Sequence, residues 1–381
     1  MSNPFINSKS LPECSLWEKM ESERIIFSFE LEITARCNNN CRHCYINLPA
    51  KDKRIKQKEM SLAQIKNIVD QAVELGALWC LITGGEPLLR EDFFDIYLYL
   101  KKKGLLISVF TNATLITEEH IKFFKRYPPR DIEVTVYGTT EETYEKLSRN
   151  PGSFDAFMNG LDLLLKSNVR VRFKAIAMRS NAHELTAIFQ FCRQRTKDYF
   201  RFDPFLHLRF DGNPKRNEEI KSERLTPEEI VVIEKHDPER FNVLEKYCDK
   251  LISPASSSHI NCNHLFQCNI GTAGAFTVGY DGFFRPCSCL WHPDCIRDLK
   301  KGALAEIWQN FVPLLVKNMR SNKEEFLKKC RVCPIINLCV WCPARAHLET
   351  QELDKPVDYF CKVAHARAES LKENKHTSVV L

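Results

Sequence analysis

Hydrophobic and polar positions alternate over residues 25–34, with Ile25, Phe27, Phe29, Leu31 and Ile33 set against Ser28, Glu30, Glu32 and Thr34. A period of two predicts a strand with one face in a core. From Ser61 the period lengthens, and Ile65, Ile68, Val69, Ala72 and Val73 fall on one helical stripe. Ser61 and Gln64 make a capping-box pair at its start, and Gly76 ends it after Leu75. Further strands are predicted over 78–83, 105–110, 132–137, 169–177 and 202–208, with helices over 92–103, 117–124, 154–166 and 183–195. Six β/α pairs with short connections predict an α/β chain, a partial (β/α)6 TIM-like barrel with helices outside a parallel sheet. Ligands of such sheets sit at the carboxyl ends of the strands.

Beyond residue 210 the pattern changes. Residues 210–225, with Asp211, Gly212, Asn213, Pro214 and Lys215, read as a linker. Thr226 caps a helix that opens with Pro227, Glu228 and Glu229. After Cys248 cysteines crowd and long apolar elements become scarce, as in a small domain held by metal. The expected organisation is an N-terminal extension (1–24), the barrel (25–210), a linker and bridging helix (211–261), a cysteine-rich domain (262–365) and a tail (366–381).

The chain has 381 residues, 44% hydrophobic and 27% charged, which fits a soluble globular protein. No apolar run approaches the roughly 18 residues of a membrane span, and the first residues lack a signal-peptide core. A cytoplasmic location without membrane attachment is expected. The net charge of +6 is mild and dispersed, so no nucleic-acid partner is expected. The 17 cysteines are odd in number, and a reducing compartment disfavours disulfides. Metal ligation is the default for those that cluster.

Cys37, Cys41 and Cys44 lie in the spacing C-x3-C-x2-C directly after the first strand. Three thiolates on one loop can hold three corners of a cubane iron–sulfur cluster and leave one iron open. A zinc site with His43 as fourth ligand, or plain buried thiols, would use the same residues. Some forty residues on, the next strand ends in Gly84, Gly85, Glu86 and Pro87. The glycines would let the backbone approach a ligand, and the carboxylate could accept from an ammonium. The cysteine spacing, Tyr45 and the GGEP turn together resemble the radical SAM superfamily. The resemblance implies a [4Fe-4S] cluster on Cys37, Cys41 and Cys44, with S-adenosylmethionine on its open iron and against Gly84, Gly85, Glu86 and Pro87. Thr111, Asn112 and Thr135 at the same sheet edge, with Lys174 less directly, would meet its ribose or carboxylate. The implied activity is reductive cleavage to a 5′-deoxyadenosyl radical that abstracts hydrogen from a substrate. A flavodoxin or ferredoxin is the implied electron donor.

The C-terminal part carries Cys262, Cys268, Cys287, Cys289, Cys295, Cys330, Cys333, Cys339, Cys342 and Cys361. Cys268 is followed by Gly282 and Cys287, then by Cys330-x2-Cys333-x5-Cys339-x2-Cys342 and Cys361. This resembles the SPASM extension of radical SAM enzymes, with one residue fewer between Cys339 and Cys342. The resemblance implies two auxiliary [4Fe-4S] clusters, one on Cys262, Cys268, Cys287 and Cys342 and one on Cys330, Cys333, Cys339 and Cys361. Cys289 and Cys295 are spare and could replace a ligand. Paired zinc sites are the alternative. Cys14, Cys80, Cys192 and Cys248 read as ordinary thiols.

Members with this extension often modify peptides or proteins, and residues 342–350 look most like the peptide-maturase branch. A peptide or protein substrate, cyclised, crosslinked or oxidised, is therefore expected. With 36 residues before Cys37, a separate small leader-peptide recognition protein is expected as partner. The alternatives are a radical SAM enzyme of tetrapyrrole or other small-molecule cofactor biosynthesis, and a non-catalytic zinc-binding protein. Asp203, His207 and Arg209 on the last barrel strand are candidates to face the cavity; no residue is assigned as general base.

Overall fold

The computed structural model describes residues 22–198, 200–247, 251, 263–266, 270 and 274–378. Cys14, Cys248, Cys262 and Cys268 lie outside the described residues. Six strands run parallel in sequence order: β1 (Ser28–Thr34), β2 (Trp79–Gly84), β3 (Leu106–Thr111), β4 (Asp131–Val136), β5 (Val171–Ile176) and β6 (Arg201–Asp203). On the other edge β7 (Ala275–Val278) adds parallel to β1, and β8 (Phe283–Arg285) and β9 (Arg297–Asp298) follow antiparallel. The sheet order is β9-β8-β7-β1-β2-β3-β4-β5-β6. The cysteine-rich segment is thus joined to the barrel by a shared sheet.

Alternation sorts the side chains as expected, with one difference. Phe29, Leu31 and Ile33 of β1 pack outward with Ile82, Val109, Val134 and Phe173 in one core beneath the helices. Burying each such side chain contributes about 1.5–3 kcal/mol. The polar set faces the barrel interior rather than bulk water: Glu32 and Thr34 are buried, as are Asp131 and Glu133 of β4. Cover from the rest of the chain, which period-two alternation does not encode, turns the solvent face into an inner wall: Arg285 meets Glu32 at 2.6 Å and Arg201 meets Glu133 at 2.7 Å.

The helix Leu62–Glu74 has the expected capping box, with Ser61 Oγ accepting from the Gln64 amide at 3.3 Å and Gln64 Oε1 from the Ser61 amide at 2.8 Å. The helix Pro227–Lys235 is likewise boxed by Thr226 and Glu229. Three readings change. The strand expected over 202–208 is the short Arg201–Asp203. A helix, Glu141–Ser148, stands in a stretch with no predicted element; Thr140 caps it and Tyr144 and Leu147 bury its narrow apolar side. The expected linker 210–225 contains the helix Pro214–Ser222, capped by Asn213 with Pro214 in its first turn. Its one buried side chain is Ile220, too little for a periodic signal. No described helix is long and apolar enough to cross a membrane.

Candidate active site

The three-cysteine loop leaves β1 at the carboxyl edge of the sheet, and the backbone around it is tied down on several sides. The Asn40 amide donates to Ser148 O at 2.8 Å and the Arg42 amide to Leu147 O at 3.1 Å, which seats the loop on the end of the helix Glu141–Ser148. Arg216 Nη2 donates to Cys41 O at 2.7 Å. Arg209 Nη1 donates to Cys44 O at 3.3 Å and to Asn47 O at 3.2 Å. Arg209, a candidate to face the cavity, is therefore a clamp on the loop backbone. Asn39 and Asn47 give backbone N–H groups to the sulfurs of Cys37 and Cys44 at 3.4 and 3.3 Å.

Burial and the neighbouring Cys41 push the Cys37 thiol up, and burial with Cys44 pushes Cys41 up to about 12. Neighbouring thiolates repel one another, and a bound cation reverses that balance. His43 is enclosed beside Tyr137, its ring 5.3 Å away, and its Nδ1 has no hydrogen-bond partner. Among the described residues no three His, Cys, Asp or Glu side chains close on a point as a single metal ion requires. Amide donors to sulfur and a thiol set on a wide loop fit a cluster, whose corners stand farther apart than the ligands of one ion.

The β2 end explains the two glycines. The Gly85 amide donates to Thr34 O at 2.7 Å and the Glu86 amide to Arg36 O at 2.9 Å. A Cβ on Gly84 would stand 2.0 Å from Thr34 O, and one on Gly85 would stand 2.3 Å from Arg36 O. The glycines therefore let β2 press against the root of the cysteine loop. Glu86 is fully buried and binds inward: Oε1 accepts from the Leu88 amide at 3.1 Å and from Thr111 Oγ1 at 2.9 Å, and Oε2 from the Asn112 amide at 2.8 Å. Burial raises its carboxyl to about 7 against these donors. Its carboxylate joins the ends of β2 and β3. Pro87 follows in a short turn. Asn112 Nδ2 reaches Asn38 Oδ1 at 2.9 Å and the Cys37 sulfur at 3.8 Å. Thr135 is half-buried on β4, in register with Lys174 of β5. Cys37, Cys41, Cys44, Gly84, Gly85, Glu86, Thr111 and Asn112 are thus brought together; Thr135 lies one strand farther along.

A second thiol group lies where the C-terminal region meets the barrel. Cys287 and Cys289 adjoin one another, and the neighbouring Cys289 holds the Cys287 thiol below its usual value. Cys289 is also 3.9 Å from His207 Nε2 and feels the charge of Cys342. Cys289 thus lies against the segment that follows β6. Cys330, Cys333, Cys339 and Cys361 line one cavity of ≈ 900 Å³, with Cys342 at its wall. Each of Cys333, Cys339 and Cys361 raises the Cys330 thiol after burial. Four thiols around one cavity fit a cluster. Cys295 instead sits in an apolar cluster with Leu290, Leu315 and Phe326, and Cys80 and Cys192 are buried core thiols. Sequence reasoning missed Arg216 because its segment reads as a charged linker, with the Asn213–Pro214 helix start the available signal; Arg209 was placed on the last barrel strand, which ends at Asp203, and clamps the loop instead of facing a cavity.

The radical SAM superfamily model matches residues 31–192. The chain is 24% identical over 333 residues to the AdoMet-dependent heme synthase of Methanosarcina barkeri, covering 84% of this chain and 91% of that one. It is 24% identical over 354 residues to the Fe-coproporphyrin III synthase of the same organism, covering 87% and 86%. Streptococcus suis SuiB bound to precursor peptide SuiA superposes with TM-score 0.66 at 13% identity, over 95% of this chain and 83% of SuiB. Residues 31–192 are a radical SAM domain, and the protein is a radical SAM enzyme. Its superfamily implies a [4Fe-4S] cluster and S-adenosylmethionine. The non-catalytic zinc reading is overturned by this match.

Proposed function

We propose that the protein is a radical SAM oxidoreductase with auxiliary iron–sulfur clusters that matures a peptide or protein. The observation that carries the radical part is the pressing of the Gly84–Gly85 strand end onto the root of the Cys37–Cys44 loop. Cys37, Cys41 and Cys44 would hold the first cluster, and the backbone at Gly84–Glu86 with Asn112 and Thr135 would border S-adenosylmethionine. Bound there, the pair supplies an electron and the power to take hydrogen from a C–H bond. The chain fixes position and excludes water. Arg209 and Arg216 hold the loop backbone from behind. Glu86 locks the β2 and β3 ends to one another.

Cys330, Cys333, Cys339 and Cys361 would hold one auxiliary cluster, and Cys287, Cys342, Cys262 and Cys268 the other, in a SPASM-like domain that relays an electron. Support for the peptide reading is the likeness to peptide-bound SuiB over nearly the whole chain. A recognition protein for the peptide and a flavodoxin or ferredoxin donor belong to this reading. The relatives named for heme and coproporphyrin synthesis favour a second one, a tetrapyrrole substrate.

The test is anaerobic reconstitution followed by reduction with S-adenosylmethionine present. About twelve irons per chain and release of 5′-deoxyadenosine are expected. Mass spectrometry then follows a candidate peptide and, in parallel, an iron coproporphyrin. A mass change confined to the porphyrin would replace the peptide reading, and no deoxyadenosine from fully loaded protein would end both.

A further inference from the structure

The inward positions at the amino ends of the strands line a cavity of ≈ 470 Å³. Strand register puts them on one face. Ser28 and Glu30 of β1 pair with Trp79 and Leu81 of β2, Leu81 pairs with Ser108 of β3, and Ser108 with Asp131 of β4. Arg172 of β5 pairs with Glu133, two residues on from Asp131, and shares that face. The length of β1 separates this end of the sheet from the cysteine loop by about 20 Å at the usual rise per residue. The volume falls in the roughly 300–1,000 Å³ range of ligand pockets. Trp79, Leu81, Phe110 and Phe276 give it apolar walls.

The charged groups on these walls are Glu30, Asp131, Arg130 and Arg172, two of each sign. Glu30 Oε2 accepts from Thr277 Oγ1 at 3.0 Å. Asp131 is fully buried, and neither of its carboxylate oxygens has a hydrogen-bond partner among the described residues. Its ion pairs are loose. Arg130 Nε stands 3.7 Å from Oδ2 and Arg172 Nη1 stands 3.9 Å from it, both beyond hydrogen-bond reach. Arg172 comes only within 4.0 Å of Glu133, which Arg201 already meets at 2.7 Å. Arg130 lies over the Trp79 ring, 4.8 Å from its centre. Both arginines are partly exposed, and they cover the carboxylate without bonding it. A buried acceptor without a donor is a standing cost, which a bound donor removes.

We propose that this cavity binds a stretch of peptide through one amide, whose N–H donates to Asp131 and whose carbonyl accepts from Arg172. A wall with balanced charge has no net pull on an anion or a cation. It suits a neutral group that both donates and accepts, and an amide is such a group. The carboxylates of a metallated tetrapyrrole would meet Glu30 and Asp131 with no donor to offer them. The proposal rests on a peptide being the substrate. It places a second contact with that peptide at the end of the barrel opposite the cysteine loop.

The probe is a pool of random, uncharged peptides blocked at both ends, applied to immobilised cluster-loaded protein, because Cys287 also lines the cavity. The same pool methylated at every backbone nitrogen has no N–H to donate. Wild type is expected to hold the first pool about tenfold more tightly. Asp131→Leu and Arg172→Met should each remove that preference, and Asp131→Asn, which keeps an acceptor oxygen, should retain part of it. Iron content of each variant reports folding, which a misfolded protein would lose together with the preference. Equal retention of the two pools by wild type, or full preference in well-loaded Arg172→Met, would overturn the proposal. So would Fe-coproporphyrin III held through Arg172 with no peptide retained. Peptide maturation unimpaired in Asp131→Asn and Arg172→Met would sink this site alone. N–H-dependent retention through both residues, with no peptide ever changing mass, would sink the maturation reading and leave the site standing.

Discussion

Replacing Gly85 by Ala tests whether contact between β2 and the cysteine loop sets the activity. Gly85 has no positive φ, so alanine brings no dihedral strain, unlike Gly84 at φ 138°. The effect is steric. The new Cβ would lie 2.3 Å from Arg36 O and 2.6 Å from Ala35 O, where ordinary contact begins near 3.4 Å. Both neighbours are backbone of the loop root, so no side chain can rotate away. The strand end must retreat by about 1 Å, and a misplacement of that size costs on the order of 100-fold in rate. The hydrogen bonds of the Gly85 and Glu86 amides to Thr34 O and Arg36 O would lengthen with it. Overpacking should also lower stability by about 1–3 kcal/mol. The assay is 5′-deoxyadenosine release under reducing conditions, with iron content and circular dichroism measured on the same sample. Iron close to wild type with activity down by about 100-fold is expected. Activity within twofold of wild type would refute the reasoning, because the contact would then not position the reacting groups.

Cys361→Ala should remove about four irons per chain while the spectroscopic response of the first cluster to S-adenosylmethionine persists; Cys295→Ala, in its apolar cluster, should leave iron unchanged. Glu86 gives a pH signature in the cluster-free protein. Its folded pKa of about 7 lies above the ordinary carboxyl value of 4.5, so its contribution is fully present below 4.5 and is lost as pH rises to 7 and beyond, by about 3 kcal/mol. Glu86→Gln should flatten that part of the stability–pH curve followed by denaturant melts, and an unchanged slope would contradict the burial argument. Arg367 pairs with Glu234 through bonds that include Nε to Oε2 at 2.9 Å, joining the helices Asp358–Ser378 and Pro227–Lys235. Arg240 Nη2 also donates to Glu234 Oε1 at 2.9 Å, so Arg367→Met leaves the carboxylate one partner and should cost about 1–3 kcal/mol, read as faster amide exchange in both helices; unchanged exchange would contradict it.

The local chemistry of this protein was written along the chain. The alternation in β1, the Ser61–Gln64 box and the clustered cysteines each depend on residues a few positions apart, and each is visible as a spacing. Tertiary structure decided what those features face. Cover from the rest of the chain turned Glu32 and Glu133 into an inner wall, although their alternation matches that of a solvent-facing strand. The Gly84–Gly85 pair reads as freedom to approach a ligand, yet the atoms it approaches are Thr34 O and Arg36 O, about fifty residues earlier in the chain. The loop clamp Arg216 was hidden in a charged stretch whose helix buries one apolar side chain, and Arg209 lies past the end of β6, where no periodicity sets its facing. Cys289 lacked a place in the spacing pattern, and only the return of the chain onto the barrel sets its sulfur against His207. Short-range periodicity can encode an element and its facing, but a contact between distant segments exists only once the chain has closed on itself.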